Sequence, residues 1–141
     1  MSGITTHKSR SQRGPLTDPR AHYGTTVLGA PLLYFPAGQP DNRSGLILAG
    51  THGDETASMA ALSCALRSLP FTQRRHHVVL CVNPDGCQLG LRANANGVDL
   101  NRNFPTHNWQ SSPTVYRWNM STPERDVMLS TGTAPGSEPE T

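Results

Sequence analysis

Two short apolar runs with one amphipathic segment between them constrain this chain most. Gly45-Leu46-Ile47-Leu48-Ala49-Gly50 and His77-Val78-Val79-Leu80-Cys81-Val82 are continuous in hydrophobicity and closed by turn signals, which predicts buried strands. Between them Met59, Leu62, Leu66 and Leu69 recur at helical spacing, giving one apolar face over Thr56 to Leu69 that Pro70 ends. Strand, helix and strand in that order predict a βαβ unit whose two strands are parallel. Pro31-Leu32-Leu33-Tyr34-Phe35, bounded by Gly29 and Pro36, reads as a further strand. The fold class expected is α/β, a partial mixed or parallel sheet with helices on its faces.

Composition narrows this further. With 13 Gly and 12 Pro among 141 residues, 35% of them apolar and 16% charged, the chain is loop-rich and rules out a coiled coil or helical bundle. A net charge of +2 with scattered arginines argues against nucleic acid as a partner, and no stretch reaches the length of a membrane span. Residues 1–20 are polar and aperiodic and predict a flexible or surface-pinned arm before a domain over 21–141; they hold no apolar h-region, so a cytoplasmic location is expected. His7 and His22 are read as solvated. The three cysteines, Cys64, Cys81 and Cys87, lack Cys-x-x-Cys spacing and are expected reduced and mostly buried.

The chemistry sits where the strands end. The first strand runs into Gly50-Thr51-His52-Gly53-Asp54-Glu55, which sets an imidazole and a carboxylate three residues apart at a strand-to-helix junction, near enough to reach one ion together. The second strand runs into Asn83-Pro84-Asp85-Gly86, read as a turn. Parallel neighbours would bring both loops to one rim, outside the carboxyl ends where ligands bind in open α/β sheets. Leu91 to Pro105 then gathers two arginines, four asparagines and one aspartate into one polar segment. The pair His76-His77 is read as two polar residues at a strand entrance and no metal site.

Taken together, His52-x-x-Glu55, Asn83-Pro-Asp-Gly86 and Arg92-x-Asn-x-Asn-Gly-Val-Asp99-Leu-Asn101-Arg102-Asn-Phe104 resemble the zinc metallocarboxypeptidase family, from about residue 23 to the C-terminus. The resemblance implies a carboxypeptidase-like fold, one zinc ion per complete site and hydrolysis of a peptide-type amide bond. Leu28 to Leu32, His76 to Asn96 and Pro135 to Thr141 are similar to family members that act on bacterial cell-wall peptides. That implies a small peptide substrate, L-alanyl-γ-D-glutamyl-meso-diaminopimelate, cut at the γ-D-glutamyl bond, and leaves room for a homodimer of the complete enzyme.

The same resemblance implies roles residue by residue. His52 and Glu55 match two zinc ligands of a His₂Glu set. Asp99 matches the carboxylate that holds the other ring nitrogen of His52. Asn101 and Arg102 match the pair that grips the substrate's terminal carboxylate, for which a planar guanidinium suits two parallel hydrogen bonds. Arg92 matches the arginine that polarises the scissile carbonyl.

Two elements of the family's pattern are not found in these residues, the third histidine ligand and the general-base glutamate; His107, in a loop after Phe104-Pro105, is not read as a ligand. Ser137-Glu138-Pro139-Glu140 has the form of a capping box that opens a helix, so the chain is expected to be the N-terminal portion of a longer domain and inactive by itself. Trp109 to Ala134 is expected to be a long loop or short helix, with a helical turn around Pro123 to Leu129. Two alternatives are an aspartoacylase or succinylglutamate desuccinylase type of amidohydrolase, and a non-catalytic remnant that keeps the carboxylate grip.

Overall fold

The computed structural model describes residues 9–117 and 126–141. A hairpin of β1 (Ala21–Thr25) and β2 (Pro31–Tyr34) opens the sheet, antiparallel with Ala21 opposite Tyr34 and a bulge between His22 and Gly24. Past β2, Phe35 and Val78 exchange backbone hydrogen bonds of 2.7 and 2.9 Å, which joins the hairpin antiparallel to β4 (His77–Val79). On its other side β4 pairs parallel with β3 (Leu46–Leu48), Leu46 opposite His77. The spatial order is therefore β1-β2-β4-β3, a mixed sheet whose parallel pair is the one expected from the sequence.

Helix α1 (Thr56–Ser68) makes the crossover between the parallel strands. Its Leu66 packs with Phe35 and Val78, and Leu62, Leu80 and Leu16 close around them. The next residue of β4 points the other way, so Val79 joins Val82, Leu100 and Tyr34 in a second cluster. Each fully buried aliphatic side chain of this kind contributes roughly 1.5–3 kcal/mol relative to exposure. The buried Arg74 donates to the carbonyls of Leu66 and Leu69 at the end of α1 and pairs with Asp18 at 2.9 Å. That charge-assisted cap anchors residues 16–18 of the leading segment.

Several elements differ from the sequence expectation. Strand β3 is not buried: Leu46, Ile47 and Leu48 are 59%, 40% and 41% exposed, because among the described residues only β4 lies beside it. An apolar cleft of about 450 Å³ runs along this face between Tyr34, Leu48, Val79 and Phe104. Asn83-Pro84-Asp85-Gly86 is no simple turn but the start of helix α2 (Pro84–Leu89). Asn83 caps it by accepting from the Gly86 amide at 2.8 Å, proline takes the first turn, and Gly90 at φ 69° ends it.

Thr114–Arg117 and Asp126–Leu129 form an antiparallel pair, β5 and β6, where a loop or helical turn was expected; residues 123–125 of that expected turn lie outside the described residues. The alternation of Thr114-Val-Tyr-Arg supports the strand. Ser137 to Glu140 forms a turn closed by Thr141 N–H donating to the Glu138 carbonyl at 3.1 Å, with both carboxylates buried where a solvated first helical turn was expected. The three cysteines are free as expected, but half-buried. Among the described residues no helix is long and apolar enough to cross a membrane.

Candidate active site

The loops after β3 and β4 meet at one rim, and Asn83 welds them. Its side-chain amide donates to the carbonyls of Thr51, at 3.5 Å, and Arg92, at 3.3 Å, while its oxygen caps α2. Asp85, fully buried, accepts from Thr26 Oγ1 at 2.7 Å and from the Leu28 amide at 2.9 Å, so α2 is also tied to the β1–β2 hairpin. Gly53 lies so close to α2 that a Cβ there would sit 2.0 Å from the Gly86 carbonyl carbon. Only glycine lets the His52 loop approach α2 in this way.

His52, buried, stands between two carboxylates: Nε2 lies 3.1 Å from Asp99 Oδ1 and Nδ1 lies 3.1 Å from Glu55 Oε1. The carboxylate of Asp99 favours the tautomer with the proton on Nε2, which turns the Nδ1 lone pair toward Glu55. An imidazole lone pair and a carboxylate oxygen facing each other are a donor set for a cation. Glu55 flanks the start of α1 without capping it, because its carboxylate is turned to His52 and Arg92. Burial pushes the Glu55 carboxyl up, but the hydrogen bonds and charges of His52 and Arg92 outweigh it and leave it below its ordinary value.

Arg92 donates from Nη1 to Glu55 Oε1 at 2.8 Å and from Nε to Asp99 Oδ2 at 3.3 Å. Its Cζ also lies 4.8 Å from the centre of the Tyr116 ring on β5, and the Tyr116 hydroxyl donates to Asp54 Oδ2 at 2.8 Å. That bond raises the Tyr116 phenol above its ordinary value. Tyr116 and Asp54 were not singled out from the sequence; an aromatic in a polar segment carries no local sign of the guanidinium it will meet.

Asp99 also starts the short turn Leu100–Arg102, accepting from the Asn101 amide at 3.1 Å. Asn101 and Arg102 project from that turn, both exposed, and among the described residues none pairs with the Arg102 guanidinium. Asn101 borders two clefts: one of about 200 Å³ that contains His52, Glu55 and Ser58, and one of about 420 Å³ that contains Arg102. The six residues singled out from the sequence are thus gathered along one rim, five of them in a connected chain of contacts from Glu55 to Asn101. His107 is exposed, and His76 and His77 accept backbone amides of Gly45 and Ala37 through Nδ1, as two polar strand-entrance residues should. Among the described residues no third side chain completes a metal-binding group with His52 and Glu55.

The turn that holds Asn101 is itself held from the far end of the chain. Asn103, fully buried, donates to the carbonyls of Thr131 and Ala134 and accepts from the Glu138 amide and the Thr141 hydroxyl. Asn94 donates to Glu138 and Glu140, which are buried against it.

Comparison with known proteins places this arrangement. The profile of the family described as zinc carboxypeptidase matches residues 11–141. Murein peptide amidase A of Escherichia coli (strain K12) is 64% identical over 138 residues, 98% of this chain and 57% of that protein. Murein peptide amidase A of Vibrio campbellii is 60% identical over 131 residues, 93% of this chain and 53% of that protein. The chain therefore spans little more than half the length of these relatives. The crystal structure of murein-tripeptide amidase from Escherichia coli O157 superposes with a TM-score of 0.85 at 65% identity, over 94% of this chain and 56% of that one. Carboxypeptidase A from Helicoverpa armigera, at 21% identity and a TM-score of 0.61, shares the fold.

Proposed function

Because the chain belongs to the zinc carboxypeptidase family, we propose that it carries the metal-binding and substrate-gripping part of a zinc-dependent amidase of murein peptides. The substrate in this reading is L-alanyl-γ-D-glutamyl-meso-diaminopimelate, cut between γ-D-glutamate and diaminopimelate. The observation that carries it is the orientation of His52, whose Nε2 is held by Asp99 while Nδ1 faces Glu55.

His52 Nδ1 and Glu55 would hold the zinc. When bound, it supplies Lewis acidity, which activates a water near neutral pH and polarises the amide carbonyl. Arg102 and Asn101 clamp the substrate's terminal carboxylate and fix the scissile bond at the rim. Arg92 donates to the carbonyl oxygen as negative charge gathers there. Water adds to the carbonyl carbon, the C–N bond breaks, and the water's proton passes to the leaving amine. Glu55 and Asp99 are both engaged by His52 and Arg92, so the proton carrier and the third ligand are assigned to sequence outside these 141 residues. The free cysteines fit a reducing compartment, and the reading places the activity in the cytoplasm, with a homodimer of the complete enzyme as part of it.

The test is hydrolysis of the tripeptide, followed by mass spectrometry. The 141-residue chain with zinc should release no diaminopimelate. The same chain extended by the part of the Escherichia coli relative it does not cover should release it, and lose that activity on His52→Ala. An inactive extended chain would sink the assignment.

A further inference from the structure

One oxygen of Glu55 serves two neighbours at once. Oε1 lies 3.1 Å from His52 Nδ1 and accepts from Arg92 Nη1 at 2.8 Å. A cation held between His52 and Glu55 would need that same oxygen, and its charge would repel the guanidinium. Arg92 must then give up its shorter contact, and its other carboxylate partner among the described residues, Asp99 Oδ2, accepts from Nε at a longer 3.3 Å. The Arg92 backbone is fixed, since its carbonyl accepts from the Gly53 amide and from Asn83 Nδ2. That does not fix the guanidinium, because a side chain of this length held by one long hydrogen bond keeps much of its rotamer freedom.

The Tyr116 ring is the partner that a cation at Glu55 leaves in place. Arg92 Cζ lies over it, 4.8 Å from its centre, and a ring face attracts a guanidinium with no carboxylate involved. The ring is itself placed from two sides. Tyr116 pairs with Val127 in the β5–β6 ladder, and its hydroxyl donates to Asp54 Oδ2 at 2.8 Å. Asp54 precedes Glu55 in the chain, so the ring is tied to the loop that carries the carboxylate.

We propose that Tyr116 is a positioning residue for Arg92, holding the guanidinium at the rim once Glu55 has turned to a metal ion. A ring suits the task, because stacking uses the flat face of the guanidinium and leaves the N–H donors in its plane free for a carbonyl oxygen. The inference rests on the reading of His52 and Glu55 as metal ligands and of Arg92 as the carbonyl donor. It goes beyond that reading in assigning the placement of the donor to an aromatic side chain on β5.

The test is NMR relaxation of the Arg92 Nε–H group in the 141-residue chain, identified by its loss in Arg92→Lys and measured without zinc and with zinc in excess. The parent and Tyr116→Phe, which keeps the ring, should hold the group ordered in both states. Tyr116→Leu should hold it ordered without zinc, where Glu55 still binds it, and let its order parameter fall below about 0.6 with zinc. A Tyr116 that only props the fold would act through its Asp54 bond, so phenylalanine would then behave as leucine does. That result overturns the proposal, as does an ordered Arg92 in the zinc-bound leucine variant or a mobile one in the zinc-bound parent. Should the leucine variant fail to fold, nuclear Overhauser contacts between the Tyr116 ring and the Arg92 δ protons of the zinc-bound parent decide: their persistence supports the proposal and their disappearance overturns it. If zinc leaves the His52 ring signals of the parent unmoved, the metal-site reading itself fails, an outcome distinct from a guanidinium that leaves the ring.

Discussion

His52 Nε2 and Asp99 Oδ1 lie 3.1 Å apart, with both side chains almost wholly withdrawn from water. A buried imidazole between two carboxylates has its tautomer chosen by the one that is fixed in place, and Asp99 is fixed by the Asn101 amide and by Arg92. Replacing it by asparagine keeps the shape but offers a donor where an anion stood. Asp99→Asn should weaken zinc binding by about 10–100-fold. Competition against a chelating dye measures it; unchanged affinity would remove Asp99 from the metal's surroundings.

Arg92 reaches Glu55, Asp99 and Tyr116 at once, through a planar group that lysine cannot copy. If the extended chain of the hydrolysis test releases diaminopimelate, Arg92→Lys in it should lower kcat by on the order of 10²–10³ with little change in KM. A rise in KM at constant kcat would instead make Arg92 a binding residue.

Gly53 faces the backbone of α2 with no room for a methyl group. Gly53→Ala should cost about 1–3 kcal/mol of stability in urea unfolding. It should also weaken zinc binding, because His52 is the adjacent residue. Loss of stability with an intact zinc affinity would show that the loop relaxes without moving the imidazole.

Glu140 is held above the ordinary carboxylate range, first by burial, with Glu138 and Asp85 adding to it and Asn94 opposing. A carboxyl whose folded value is raised adds stability that is full below its unfolded value and is lost as pH rises through the folded value. Glu140→Gln removes that loss and still offers an oxygen to Asn94. The variant should melt a few degrees higher than the parent at pH 7. The gain should shrink toward pH 4; a gain equal at both would exclude ionisation as its cause.

Periodicity and turn chemistry made the centre of this fold legible. Leu46 to Leu48, Thr56 to Ser68 and His77 to Val79 each carry their pattern within a few residues, and their order dictated the parallel pair. The six rim residues were legible through their motif, which also named their neighbours. What stayed hidden depends on partners far along the chain. Asn94 reads as a loop residue until Glu138, 44 positions away, accepts a hydrogen bond from its side-chain amide. Glu138 and Glu140 read as a helix start because acidic residues after serine signal one locally, and nothing in that window shows two buried amide partners. Strand β3 reads as buried from its own side chains, but burial is a property of what lies opposite.

The clamp made by Asn103 also orders events in time. Its contacts with Thr131, Ala134 and Ser137 span 28, 31 and 34 positions, much like the 31 (77 − 46) that separate Leu46 from His77 across the parallel pair. Loops of like length close at a like entropic cost, so any order between the two comes from the order of synthesis. During synthesis Asn101 and Arg102 emerge from the ribosome before residues 131–137, so the turn that carries them takes its final shape only after that later segment is made.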